Sequence, residues 1–294
     1  MKHWLANSLL LISKVLCWLI HISPAFVKNV FGDAIGILWF DVLRIRRQLV
    51  LDNLSLVFPS MPKAAKVKIG RTSLRTMGRS FMDYFSVPFI NEKNYSDYFE
   101  SVGEEHLVEA LKKNKGVLLT SLHLGSYDFA ACSLACKFKP FYVISKHFKI
   151  ELLNKVWFGL RESKGIEFIG ERRSSFDILK ALKKNGIICF IIDQFMGPPI
   201  GVKTTFFNKE TGSPMGLAVF SMKTGAPVVP VYTYKKHNKN VIVFCPEIPF
   251  QTQENKDQSV QHMTQVYNHW LERVIAEHPE QWLWVHNRWK RFKY

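Results

Sequence analysis

From Ser101 onward the chain alternates short apolar runs with amphipathic segments, and this alternation constrains the fold more than any other feature. The apolar runs fall at residues 116–122, 141–144, 166–169, 187–192, 228–232 and 241–244. Each is too short for a helix and is rich in Val, Ile, Leu and Phe. Between and around them, residues 104–113, 127–137, 152–163, 175–184, 214–223 and 260–276 carry helical spacing. Strands separated by helices of about ten residues imply an α/β fold: a mixed, mostly parallel central sheet flanked by helices. Before Ser101 the texture is helical. Residues 48–58 form one amphipathic stretch stopped by Pro59. Residues 63–85 form another, basic and then aromatic, broken by Pro88. The expected organisation is an N-terminal segment over 1–45 and a main domain over 46–294, with a helical part (46–100) and an α/β core (101–294).

Residues 4–20 read WLANSLLLISKVLCWLI, apolar but interrupted by Asn7, Ser8, Ser13 and Lys14. Residues 25–40 carry Lys28, Asn29 and Asp33. Neither supplies the roughly 20 continuous apolar residues of a spanning helix. A marginal span, an in-plane amphipathic anchor and a buried helix all stay open. Arg44, Arg46 and Arg47 follow directly. If the segment spans, they favour a cytoplasmic body; if it lies flat, they meet anionic headgroups. Membrane association of 1–45 is expected. Formal net charge is +16, spread over short clusters. That spread suits a broad membrane-facing surface at least as well as a nucleic-acid groove, and the expected partner is a membrane surface with no nucleic acid. The five cysteines include no C-x-x-C pair, which favours a reducing compartment. Cys132 and Cys136 read as core, and no metal site is expected.

The strand at 116–122 runs into His123, Leu124, Gly125, Ser126, Tyr127 and Asp128. Catalytic groups in α/β sheets gather beyond the carboxyl ends of strands. Gly125 permits a tight turn, Ser126 can cap the helix that follows, and Asp128 falls in its first turn. From there a carboxylate can fold back onto the imidazole, fix its tautomer and stabilise the imidazolium. Taken alone, an H-x4-D pattern fits a core histidine bonded to a helix-capping aspartate better than a catalytic pair.

The segment HLGSYD resembles the H-x4-D/E motif of the glycerolipid acyltransferase superfamily. More closely, the chain is similar over nearly its whole length to the bacterial lipid A late acyltransferases, the lauroyl and myristoyl transferases. Residues 46–61 (RRQLVLDNLSLVFPSM), 179–207 (LKALKKNGIICFIIDQFMGPPIGVKTTFF), 224–232 (TGAPVVPVY) and 278–292 (HPEQWLWVHNRWKRF) carry the likeness, in family order. Two departures stand out. Ser126, Tyr127 and Asp128 replace the N-W-E of the usual block. Ser145 and Lys146 stand where a Tyr-Arg pair is common.

The resemblance implies His123 as general base and Asp128 as its orienter. Backbone N–H groups near Gly125 and Ser126 are the candidate oxyanion donors. Asp193 and Gln194, ending the strand at 187–192, are expected to position the acceptor hydroxyl or a basic partner. Lys146 and Lys203 are candidate phosphate cations, and Arg161 a further substrate contact. Plainer readings stand beside these: a loop-ordering aspartate, a solvated lysine, a surface salt bridge. Trp282, Trp284, His286, Arg288 and Trp289 fit either an interfacial belt or packing of the C-terminus, with His286 as a second base a minor alternative.

The implied reaction is transfer of a fatty acyl chain from an acyl-carrier-protein or acyl-CoA thioester to a hydroxyl of a lipid A precursor or similar membrane glycolipid. It needs no cofactor, since the thioester brings its own leaving group. The implied location is the inner membrane, catalytic domain on the cytoplasmic side. Rival readings are another lysolipid acceptor, an acyl-ester or thioester hydrolase, and a non-enzymatic basic binding protein. The chain has no G-x-S-x-G nucleophile elbow, which argues against a serine hydrolase.

Overall fold

The structure, a computed structural model, describes residues 13–145, 151–170, 174–236 and 239–293. Its centre is a 7-stranded sheet. The strands are β1 (Phe99–Val102), β2 (Val117–Ser121), β3 (Phe141–Ile144), β4 (Ile166–Ile169), β5 (Ile187–Ile191), β8 (Val228–Lys236) and β9 (Lys239–Phe244), in the order β1-β9-β8-β2-β5-β3-β4. Strands β8, β2, β5, β3 and β4 run parallel. β9 turns back against β8, and β1 pairs parallel to β9. The mixed, mostly parallel sheet expected from the alternation is therefore present.

Side chains of β2 and β5 are buried on both faces, which is why these strands read as unbroken apolar runs. Leu118, Ile188, Phe190 and Ile192 join one core layer; Val117, Leu119, Ile187 and Cys189 join the other. The first layer is closed by α9 (Ser174–Lys183), α10 (Gly216–Thr224), α11 (Lys256–Glu277) and the C-terminal arm. The second is closed by α6 (Glu104–Lys112), α7 (Tyr127–Lys137) and α8 (Glu151–Glu162).

Two pieces were not foreseen. The four-residue β1 is too short to show a period. Residues 201–214, given no element between the strand at 187–192 and the helical stretch at 214–223, form an antiparallel hairpin of β6 (Gly201–Phe206) and β7 (Lys209–Pro214). Phe207 and Asn208 turn it with φ of 50° and 58°. A turn of that kind usually advertises itself by Asn-Gly, and Phe-Asn hides it. The C-terminal tryptophans pack rather than face outward: Trp282 is 1% exposed and Trp284 0%.

The N-terminal part contains α1 (Ser13–Ile22), α2 (Ala25–Ile37, continued by a π turn over Leu38–Val42), α3 (Arg47–Val57) and α4 (Lys63–Tyr84). No single helix among the described residues is long and apolar enough to cross a membrane; α1 and α2 form a pair bent by 119°. Both leave an apolar ridge uncovered, with Phe26 69%, Val30 62% and Phe31 60% exposed. Strand-like closeness between α2 and α4 depends on glycine. A Cβ on Gly78 would lie 2.0 Å from the carbonyl oxygen of Gly32, and one on Gly32 would lie 2.6 Å from the backbone of Arg79. Asp33, beside Gly32, accepts from Arg75 and Arg79 across the same seam.

Helix α4 in turn braces the loop after β2. Ser73 donates to the carbonyl of Trp282, Ser80 to that of Gly125, and Asp83 accepts from Ser126. Gly78→Val is expected to lever α2 off α4 at about 1–3 kcal/mol. The check is limited trypsinolysis: the segment before Arg47 should be released faster, while the α/β core resists as before. Unchanged cleavage kinetics would show that the seam does not hold α2.

Candidate active site

Parallel pairing aligns the two residues that matter most. In the β2–β5 register Ser121 lies opposite Ile191, so His123 and Asp193 each stand two residues past matched strand ends. The Ile192 N–H still donates to the Ser121 carbonyl, carrying the alignment beyond the strands. The His123 ring donates from Nδ1 to Asp193 Oδ1 at 2.7 Å, and its backbone N–H donates to Oδ2 at 3.0 Å. Trp282 Nε1 adds a third donor to Oδ2 at 2.7 Å. Asp193 is fully buried.

The orienting carboxylate is thus Asp193, and Asp128 has another partner. From the first turn of α7, Asp128 accepts from Arg161 on α8, whose guanidinium lies 4.6 Å over the Trp157 ring. The physical reason is direction: the first turn of α7 aims a short Asp at α8 rather than back at the ring. Its charge still acts on His123 through space.

Ser126 was expected to cap α7. Its hydroxyl instead pairs with Asp83 and Ser80, and it is buried at 1% exposure. Gly125 has φ of +56°, and a Cβ there would meet the Thr233 carbonyl at 2.7 Å, so the turn needs glycine. Its N–H is not an oxyanion donor, because it already donates to the Gln281 carbonyl at 3.2 Å. The C-terminal arm runs along this loop: Leu283 N–H donates to the His123 carbonyl, and Leu124 bridges to Trp282. Lys203 sits on the β6–β7 hairpin, paired with Glu210 at 2.9 Å, and lines a different depression against α11. Lys146 lies outside the described residues.

Gln194 and His286 complete the site. The Gln194 amide nitrogen lies 2.9 Å from His286 Nε2 and 3.3 Å from His123 Nε2. An amide NH2 only donates, so His286 Nε2 accepts and that ring carries its proton on Nδ1, whereas the same nitrogen lies 3.4 Å from His123 Nδ1 as well and selects neither tautomer there. For His123 the Nδ1–H tautomer is selected by Asp193. The Tyr127 ring stands edge-on to it at 4.8 Å. His286 was the residue the sequence undersold; its place two residues after Trp284, inside the 278–292 segment, was the available signal.

Burial opposes a charged His123, but the charge and hydrogen bond of Asp193, helped by Asp128, outweigh it and raise the pKa above 6.5. Burial likewise pushes the Asp193 carboxyl up. The adjoining imidazolium, the three N–H donors and their geometry win, and hold it well below the usual carboxylate range. His286 goes the other way: burial first, then the His123 and Arg46 charges, push it down to about 4. Its ring stays neutral where His123 can titrate.

His123 opens into a cavity of about 610 Å3 between the sheet and helices α7 and α8. The inner wall is apolar, with Ala131, Leu134, Phe141, Val143, Phe168 and Ile191. Asp128, Arg161 and Gln194 are among the polar groups at its lining. A second cavity of about 180 Å3 lies between His123 and α4, and a third of about 400 Å3 beyond Gln194. No cluster of His, Cys, Asp or Glu among the described residues could hold a metal ion.

At this sheet edge a carboxylate-oriented histidine faces an apolar cavity. The chain belongs to the bacterial lipid A biosynthesis acyltransferase family, whose sequence profile matches residues 3–291. It is 26% identical to the phosphatidylinositol mannoside acyltransferase of Mycobacterium tuberculosis (strain ATCC 25618 / H37Rv), over 81% of this chain and 75% of that protein. It is 24% identical to the lipid A biosynthesis lauroyltransferase of Escherichia coli (strain K12), and 26% identical to the palmitoleoyltransferase of the same organism. Each of these matches covers 93% of this chain and 88% of the relative.

The two histidines should separate in a titration followed by NMR of the ring protons. His123 is expected to titrate above 6.5 and His286 near 4. Asp193→Asn removes the charge that raises His123 and leaves burial to act, so its pKa should fall. An unmoved His123 titration would break the assigned pairing.

Proposed function

We propose that this acyltransferase moves a fatty acyl chain from an acyl-carrier-protein or acyl-CoA thioester to a hydroxyl of a membrane glycolipid, with a lipid A precursor as the leading acceptor. The observation that carries the reading is the His123 ring. Its Nδ1–H is fixed on Asp193, so Nε2 is left as the basic nitrogen, at the mouth of the apolar cavity. The relatives' names supply the acceptor class, since lipid A and phosphatidylinositol mannoside are both sugar-bearing membrane lipids.

In this mechanism the acyl chain lies in the cavity between the sheet and α7 and α8. The acceptor O–H gives its proton to His123 Nε2 as the oxygen attacks the thioester carbonyl carbon. Asp193 steadies the imidazolium. Collapse of the tetrahedral adduct breaks the C–S bond, and the departing thiolate recovers the proton from Nε2. The Arg161 guanidinium, set by Asp128 and the Trp157 ring, lines the same cavity and is the proposed cation facing the developing oxyanion. Asp128 therefore acts through Arg161 and through its field on His123. It is a positioning residue.

Membrane attachment belongs to the same proposal. The exposed apolar ridge of α1 and α2 would lie in the bilayer interface, with Arg44 and Arg46 at headgroup level. The catalytic body would face the cytoplasm, where acyl thioesters are made and where five free cysteines are at home.

His123→Ala is expected to lower transfer by ~10²–10⁴ in kcat, the range of a lost general base. Asp193→Asn should lower it substantially too, and Asp128→Asn less. The kcat of the native enzyme should fall as pH drops through the raised His123 pKa, because only the neutral ring accepts a proton. Full-rate transfer by a folded His123→Ala protein would sink the mechanism. If the products are free fatty acid alone, with or without glycolipid present, the hydrolase reading replaces it.

A further inference from the structure

The cavity beyond Gln194 is unlike the acyl cavity on its near side. Its walls include Arg46, Gln194, Phe195, His286, Asn287 and Lys290. Its polar side chains are a guanidinium, an ammonium, two amides and an imidazole, none of them anionic. No carboxylate lines it among the described residues. Arg46 is held in place by one Nη1–H on the Val285 carbonyl at 2.9 Å. Its backbone has φ of 54°, immediately before α3. Lys290 stands 5.6 Å over the Phe195 ring. His286 accepts from Gln194 on Nε2 and so carries its proton on Nδ1, one more donor.

Two further observations place this cavity in the reaction. Gln194 and Phe195 line both it and the acyl cavity, and the Gln194 amide touches His123 Nε2. A group bound here is thus one side chain away from the proposed base. Arg46 also follows directly on Ile45 and the exposed Val42 and Leu43, the end of the apolar ridge. The cavity therefore opens where the headgroup of an embedded lipid would sit.

We propose that this cavity is an anion subsite which binds a phosphate on the headgroup of the acceptor lipid, with Arg46 and Lys290 as its cations. It rests on the acyl-transfer reading for its role, and deepens it: the acceptor is recognised as a phosphorylated sugar lipid, phosphate beyond Gln194 and hydroxyl at His123. Arg46 gives a fixed, planar set of donors, and Lys290 a mobile point charge. A phosphate on the donor's pantetheine arm is the other source of the same chemistry, and the test separates the two.

The enzyme, in phosphatidylcholine vesicles, is assayed with two acceptors: a phosphorylated lipid A precursor and the same lipid after phosphatase treatment. Two donors are used, dodecanoyl-CoA and the dodecanoyl thioester of N-acetylcysteamine, which has no phosphate. Native protein, Arg46→Gln and Lys290→Gln are compared. Because Arg46 also ties down Val285, Lys290→Gln, on an exposed side chain, serves as the second variant. Loss of one cation is expected to raise KM for the phosphorylated acceptor about fivefold to tenfold with kcat little changed, the size of a partly exposed charge-assisted contact. With the dephosphorylated acceptor the three proteins should have the same KM, and the pattern should hold for both donors. Equal losses on both acceptors, or losses seen only with the CoA donor, would overturn the assignment. Flotation of the protein with vesicles carrying either acceptor reads binding without turnover. If phosphate-dependent flotation needs Lys290 while native protein acylates neither lipid, the subsite stands and the reaction fails. If acylation proceeds and flotation ignores the phosphate, the subsite alone fails.

Discussion

The register between β2 and β5 is the constraint on which the site depends. Two parallel strands, matched from Val117 opposite Ile187 to Ser121 opposite Ile191, deliver His123 and Asp193 to the same height at the sheet edge. In a parallel pair a slip of one residue would swap faces for every side chain of a strand, and both faces here are packed. The register is therefore fixed by the whole core, and the 2.7 Å contact between ring and carboxylate inherits that rigidity. Around it, α4 and the C-terminal arm clamp the intervening loop from two sides, through Ser80 and Asp83 and through Gln281 and Leu283.

The C-terminal arm shows how a sequence signature can be structural and still serve a site. Arg288 is fully buried among the Gly212 carbonyl and the Thr211 and Ser213 hydroxyls, over the Phe206 ring, and burial lowers its pKa to about 10. It ties the β6–β7 hairpin to the arm. Trp289 adds a bond to the Phe206 carbonyl. What this clamp positions is Trp282, whose indole N–H completes the donors on Asp193. Basic and aromatic residues that suited an interfacial belt are thus spent inside the domain.

Most of the sheet was legible because parallel strands buried on both faces leave a plain trace: short apolar runs at helix-length intervals. What stayed hidden lacked a local signal. β1 is four residues long, and the hairpin turns on Phe207 and Asn208 without glycine. The position of His123 at a strand end could be read, since strand and turn are neighbours in sequence. Its partner could not be read from that neighbourhood. Asp128 is five residues away and looked available; Asp193 is seventy residues away, joined only through the β2–β5 pairing. Asp193 and Gln194 were named from the strand they end, but the ring they touch is a fact of register. The Gly125 N–H was a fair oxyanion candidate until the C-terminal arm, distant in sequence, was seen to occupy it.

The charge arrangement bears on why one ring can do the work proposed for it. Asp193 is a buried carboxylate whose direct partners are N–H groups of His123 and Trp282, with Arg288 acting on it only at a distance. A guanidinium bound directly to Asp193 would have neutralised it and left burial to depress His123. Dipolar donors satisfy the oxygens without cancelling the charge, so the field of the carboxylate still falls on the ring. The neighbouring His286, 5.3 Å away between ring centroids, experiences the opposite balance: burial, His123 and Arg46 all disfavour its protonation. A proton leaving an acceptor hydroxyl in the proposed reaction therefore meets two imidazoles joined by one amide, of which only His123 is built to hold it. Gln194 bridges the two rings as an uncharged amide, and an acid or cation in its place would bias that choice.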